Sequence, residues 1–173
     1  MNEPVALRDS SIEGTGVFAK EGFARGDPIL AIDDSRVVTD NNPRGDDEDE
    51  KYCDYPDDQV ILMQPPERYI NHACEPNAYV QTIGDTRYLL AMTDIGRDDE
   101  ITIDYRLDCH TDESDACFCG TERCSGTVDW DFFSLSRRRQ LAYIPYLDSW
   151  FLEKYAHRLE ETILSEGVLP SGS

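Results

Sequence analysis

Long hydrophobic runs are missing from this 173-residue chain. The longest, YLLAM at 88–92 and VILM at 60–63, fall far short of the roughly 20 apolar residues that a membrane-spanning helix needs, so no membrane association is expected. The N-terminus, MNEPVALRDSS, has no basic head followed by an apolar core, so no secretory signal or transit peptide is read there. The chain is therefore expected to be intracellular. Basic residues are scarce, 16 against 36 acidic ones, for a formal charge of −20. Binding to nucleic acid rests on phosphate contacts from a basic face, so no direct nucleic-acid partner is expected. A negative field steers basic peptides or proteins instead, and the same charge also serves solubility. No internal repeat is visible, and nothing in the sequence sets an oligomeric state.

Apolar residues make up 39% of the chain, enough for one globular domain with a modest core. GVFAK (16–20) and PILAI (28–32) read as short strands separated by a turn at Arg25-Gly26. Residues 33–58, centred on NNPRGDDEDE, are polar and strongly acidic and read as a surface loop or mobile insertion. QVILM (59–63) is a strand stopped by Pro65-Pro66, AYVQTI (78–83) and RYLLAM (87–92) form a hairpin across GDT, and EITIDY (100–105) is again β-rich. Residues 108–129 are cysteine-rich and read as irregular.

From Ser134 the pattern turns helical. Ile144, Leu147, Phe151, Tyr155, Leu159 and Ile163 recur at three- and four-residue steps, an apolar stripe for packing on the β core. Pro145 suits a first helical turn and divides the region into two helices, with Gly167 at the helix end. The arginine triplet Arg137–Arg139 reads as a solvated face salt-bridged to the acidic body.

The chain has six cysteines, at 53, 74, 109, 117, 119 and 124. Inside a cell, clustered thiols bind metal more often than they form disulfides. CFCGTERC places Cys117, Cys119 and Cys124 round one point, with Gly120 at the turn. A structural zinc takes four ligands in a tetrahedron, so one more is needed. Cys74, Cys109, His110 and Cys53 are the candidates. If Cys74 supplies it, the metal pins the late loop against the string RYINHACEPN (68–77). Cys53 and Cys109 read as ordinary thiols.

Taken in order, GTGVFAKEGFARGDPIL, RYINHACEPN, DDEITIDY and CFCGTERCSG resemble the SET-domain protein lysine methyltransferases with a post-SET zinc loop, over about residues 5–128. The resemblance implies a mostly β fold, the SET-domain β-clip with a pseudoknot that threads the Asn-His segment past the Asp-Tyr segment. It implies S-adenosylmethionine as methyl donor and one structural zinc held by Cys74, Cys117, Cys119 and Cys124. The organisation that follows is a SET domain over 1–108 with its acidic insertion at about 33–58, a zinc loop over 109–130 and a C-terminal helical extension over 131–173. The implied activity is transfer of a methyl group to lysine in a basic protein, histone-like or ribosomal. A non-catalytic SET-fold binding module is the alternative. The place of work would be the cytoplasm in a bacterium, the nucleus or chromatin in a eukaryote.

The chemistry asks the protein to position, desolvate and orient, because the donor's methyl is already activated. Gly14 and Gly16, with Thr15 and Val17 beside them, let backbone approach the donor. By resemblance Asn71 and His72 contact it, with Arg68 and Tyr69 in the same string, and Trp130 or Phe132 covers the adenine. His72 also serves equally well as a hydrogen-bonding support. Tyr105 is the expected catalytic residue, and the resemblance implies that its hydroxyl sits beside the transferring methyl and the target nitrogen. Tyr52 and Tyr55 are candidates for the wall of the lysine channel. Ile103 stands two residues before Tyr105, where many members of the family carry Phe or Tyr. An aliphatic side chain there leaves room and holds no water, which favours higher methylation. A cysteine-rich region ahead of the SET domain is not recognisable.

Overall fold

The structure, a computed structural model, describes residues 4–164. Twelve strands lie among these residues. In chain order they are β1 (Val5–Asp9), β2 (Thr15–Ala19), β3 (Pro28–Ala31), β4 (Val37–Val38), β5 (Cys53–Asp54), β6 (Val60–Leu62), β7 (Asn71–His72), β8 (Ala78–Ile83), β9 (Thr86–Ala91), β10 (Glu100–Ile103), β11 (His110–Ala116) and β12 (Thr127–Asp131). Three helices follow, α1 (Arg137–Tyr143), α2 (Ser149–Lys154) and α3 (Ala156–Leu164). No helix among the described residues is long and apolar enough to cross a membrane.

The sheet that matters most has the order β1-β2-β10-β7. Its first two contacts are antiparallel, Val17 standing opposite both Leu7 and Ile101. The last is parallel, with Thr102 opposite Asn71 and Ile103 opposite His72. That short parallel pair sets the Asn-His and Asp-Tyr strings side by side. The expected hairpin is there as β8–β9, with a turn at Asp85 and Gly84 at φ +64°, and it pairs with β3. Val17, Ala19, Ile29, Leu89 and Ile101 form the core between these two sheets.

The acidic stretch 33–58 is more ordered than its composition suggests. It contributes β4 and β5 to a small sheet with β6 at the centre. Two arginines explain how so many acids fold together. Arg87 on β9 forks onto Asp34 at 2.7 and 2.9 Å and reaches Asp54 at 2.7 Å, while Arg36 grips Glu48 through two donors. Forked guanidinium–carboxylate pairs of this kind fix geometry as well as charge.

Residues 108–129 also depart from the irregular reading. β11 and β12 form an antiparallel ribbon with a register shift between His110 and Ser114. Every residue of β11 is exposed, so its sequence, HTDESDA, carries no inward-facing apolar period.

The tail packs as expected down to Leu159. Leu147, Phe151 and Leu159 are buried with Phe132 and Leu135 in a second core. Ile163, by contrast, is 49% exposed. There are three helices rather than two. Pro145 sits in a single 3-10 turn, Ile144–Tyr146, and α2 starts afresh at Asp148, whose carboxylate caps the N–H of Ser149. Gly167 lies outside the described residues. The arginine triplet is not one solvated face. Arg138 is exposed, but Arg137 donates to the Thr162 carbonyl and Arg139 turns inward.

Candidate active site and metal centre

The turn between β1 and β2 begins the site. Gly14 has φ +47°, in the left-handed region that glycine enters without steric cost. Gly16 is needed for a different reason. A Cβ there would clash with Oε1 of Glu100. That carboxylate accepts from Ser10 Oγ at 2.8 Å and from Asn71 Nδ2 at 2.9 Å. The Asn71 amide also donates to the Glu13 carbonyl at 3.1 Å. The Gly-x-Gly pattern thus makes room for the Glu100–Asn71 contact, and Asn71 spends its amide hydrogens clasping the turn. Thr15 offers its carbonyl to the same amide at 3.4 Å, and Val17 is fully buried in the sheet.

Asn77, at the end of the quoted string, does as much without having been singled out. Its amide oxygen accepts from the Thr102 N–H at 2.9 Å and its amide nitrogen donates to the Glu100 carbonyl at 2.8 Å. It pins β10 in place beside the string that carries Asn71 and His72.

His72 is buried, and its Nδ1 accepts from the Tyr105 N–H at 3.2 Å. Nε2 therefore carries the proton of the neutral ring and faces Cys74 Sγ at 3.5 Å. Burial pushes the imidazole down to about 4, and Arg106 and Arg139 work in the same direction against Asp104. His72 thus makes the hydrogen bond of a support, and its ring also borders the cleft.

Tyr105 is 39% exposed, but its hydroxyl is the sheltered end and donates to the Ile70 carbonyl at 2.5 Å. Burial, aided by the charge of Glu13, raises the phenol's pKa. Its ring stacks on Trp130 at 5.3 Å and 25°, and Trp130 meets His72 edge-on at 5.9 Å. The Trp130 indole N–H is held by Asp115 Oδ2 at 2.7 Å.

These side chains surround a cleft of about 380 Å³, lined by Glu13, Asn71, His72, Tyr105, Phe118 and Trp130 among others. That is the size range of small-molecule sites. Its lining suits a flat heterocycle joined to a cation, with aromatic faces on Trp130, Tyr105 and the 66%-exposed Phe118 and a carboxylate at Glu13. Phe132 takes no part, being buried in the helical core.

Other expected residues lie elsewhere. Tyr52 and Arg68 line a second cavity of about 280 Å³ beside Arg36 and Glu48. The Arg68 guanidinium sits over both the Tyr52 and Tyr69 rings and donates to the Tyr69 hydroxyl at 2.7 Å. Tyr55 is exposed, and Ile103 packs against the β core. None of these five lines the first cleft. Glu13, Asp115, Phe118 and Glu100 were missed. Three are acids in an acid-rich chain, and Phe118 is hidden between two cysteines.

Below the cleft the sulfurs of Cys74, Cys117, Cys119 and Cys124 all lie within 4.8 Å of one another. Cys74 Sγ and Cys117 Sγ are 3.9 Å apart, against the roughly 3.8 Å edge of a tetrahedral zinc–thiolate site. Cys53, Cys109 and His110 are not part of the group, and His110 bonds Asp131 instead at 2.8 Å. Burial pushes the Cys117 thiol up to about 11 and raises Cys74 as well. Burial opposes ionisation of Cys119 too, but the N–H of Cys74 and the hydroxyl and N–H of Thr121 outweigh it and bring that thiol down to about 6. Four convergent thiols with N–H···S support fit a thiophilic divalent cation.

The SET domain family matches residues 14–106. The H3 lysine-4 specific histone-lysine N-methyltransferase of Aspergillus fumigatus is 30% identical over 143 residues, covering 73% of this chain and 12% of that protein. The chain thus spans about an eighth of that relative's length. Among solved structures, KRYPTONITE in complex with mCHG DNA and SAH is 25% identical, with a TM-score of 0.52 over 71% of this chain and 28% of that one. The methyltransferase domain of human SETMAR, 18% identical with a TM-score of 0.56 over 76% of this chain and 60% of that one, shares the fold. The family match takes in more than half of the chain and contains both strings that meet at the β7–β10 pair, so the chain belongs to the SET-domain family.

Proposed function

We propose that the chain transfers methyl groups from S-adenosylmethionine to lysine in a basic protein, and that its four clustered cysteines hold one structural zinc. The observation that carries this reading is the meeting of Asn71, His72, Tyr105 and Trp130 round one cleft with the four thiols beneath it. The name of the Aspergillus relative points to a histone-type substrate, and the −20 charge suits a basic partner.

Bound in the cleft, S-adenosylmethionine supplies an activated methyl group on a sulfonium carbon. The chain's own residues do the rest. Trp130, backed by the Tyr105 ring on one face, would present its other face to the adenine, and Glu13 presents negative charge to a cationic ligand. Tyr105 keeps its proton, because burial raises its pKa, and commits it to Ile70. Its oxygen lone pairs remain as acceptors for an incoming amine. Burial and nearby positive charge both disfavour the ammonium form of lysine, so no dedicated base is needed. Ile103 has no hydroxyl with which to hold a water, but it packs against the β core and does not line this cleft, so the number of methyl groups does not follow from it. Zinc binding contributes on the order of ten kcal/mol to the order of a loop that has few apolar contacts of its own.

The test is to incubate the metal-loaded protein with donor and a panel of basic proteins, histones and ribosomal proteins included, and to map lysine mass gains in units of one methyl. Donor binding without transfer across the panel would count against the reading. Absence of donor binding would point to a SET-fold binding module.

A further inference from the structure

Asp104 is 2% exposed. Arg106 neutralises it with two donors, Nε and a terminal nitrogen, each at 2.7 Å. A second guanidinium, that of Arg139 on α1, stands 3.6 Å from the same carboxylate. Arg139 also donates to the backbone carbonyl of Cys74 and, at 2.9 Å, to the Tyr143 hydroxyl. Its side chain is 18% exposed. Among the described residues, Asp104 is the one carboxylate within ion-pair distance of either arginine. One carboxylate against two guanidiniums leaves a surplus positive charge in a sheltered place, and such a charge is costly unless it is balanced.

The balance is at hand if the four cysteines hold a divalent cation. Four thiolates around it carry a formal net charge of −2, and the carbonyl that Arg139 grips belongs to one of those ligands. We infer that Arg139 is a positioning residue for the metal centre: it fixes the Cys74 peptide, supplies counter-charge to the tetrathiolate, and so ties the C-terminal helices to the metal. This rests on the metal reading given above and is independent of the methyl-transfer reading.

Metal release from the zinc-loaded full chain to a colorimetric chelator tests it. Partners that support metal ligands commonly cost about 10- to 100-fold in metal affinity when lost. Arg139→Gln is expected to release zinc about 10-fold faster than Arg138→Gln, its exposed neighbour on the same helix. Arg139→Lys, which keeps the charge but not the fork, should fall between them. Equal release by Arg139→Gln and Arg138→Gln would overturn the inference. A wild type that takes up no zinc would overturn it together with the metal reading, while donor binding and transfer would judge the enzymatic reading separately. If Arg139→Gln does not fold, hydrogen exchange of the wild type decides. Stripping the zinc should speed exchange in Arg137–Tyr143 more than in Ser149–Lys154, and unchanged exchange in α1 would overturn the proposal.

Discussion

The hydroxyl of Tyr105 donates to the backbone carbonyl of Ile70 at 2.5 Å, joining the Asp-Tyr segment to the strand entry that leads into Asn71. That bond orients the phenol with its proton already committed. Tyr105→Phe removes the oxygen and keeps the ring that stacks on Trp130. Oriented polar groups at a reaction centre are commonly worth about 10²–10³ in turnover. Turnover should therefore fall by about 100-fold. Donor affinity, read by calorimetry, should stay within about twofold, because the stacking face remains. Equal losses in both would show that the hydroxyl serves binding rather than transfer.

Trp130 depends on both of its neighbours, the Tyr105 ring and the Asp115 carboxylate. Stacking of a base on an aromatic side chain contributes about 1–3 kcal/mol. Trp130→Ala should weaken donor binding by about 10-fold, and Asp115→Asn, which leaves the ring in place, by less. Unchanged affinity in Trp130→Ala would move the adenine away from this residue.

Metal removal should act locally. Strand β11 is exposed along its whole length and β12 buries Val128 against the cysteine cluster, whereas the β core has its own apolar cluster. After chelation, trypsin is expected to cut after Arg123, a side chain 64% exposed at the tip of the cysteine loop, while the hairpin β8–β9 stays protected. A digestion pattern that chelation leaves unchanged would contradict a metal-held loop.

A pH dependence of stability follows from Asp108. Burial pushes its carboxyl up from 3.8 to about 8, and the neighbouring charges of Asp148 and Asp54 add to this against the Asp148 N–H and Arg87. The folded state then holds a proton that the unfolded chain releases above about 4. This contribution is full below the unfolded value and is lost as pH rises through about 8. Asp108→Asn keeps an acceptor for the Asp148 N–H, which lies 3.1 Å from Asp108 Oδ1. Thermal melts from pH 5 to 9 should show the wild type losing stability relative to Asp108→Asn. Parallel curves would refute the assignment.

What could be read from the sequence was set by chemical density. Asn71, His72 and Cys74 fall in one short string, and Cys117, Cys119 and Cys124 in another; chemistry asked for a fourth metal ligand among four candidates, and the family resemblance singled out Cys74. The strand β11 could not be expected, because a strand exposed on both faces has no alternation to detect. Arg139 looked like its neighbours in a basic triplet, and only the fold turns it towards Cys74. Arg68 opens the active string in sequence, but it stands in the 3-10 turn Glu67–Tyr69 and lines the second cavity with Tyr52. Gly16 was expected to let backbone approach the donor, whereas in the structure the space a side chain would take is occupied by Glu100.

The most direct measurement is hydrogen exchange of the zinc-loaded protein with and without S-adenosylhomocysteine. Protection is expected at the backbone around Glu13, Asn71–His72, Tyr105, Phe118 and Trp130, with little change around the second cavity at Tyr52 and Arg68. No protection at all, or protection centred on Tyr52 and Arg68, would contradict the placement of the donor.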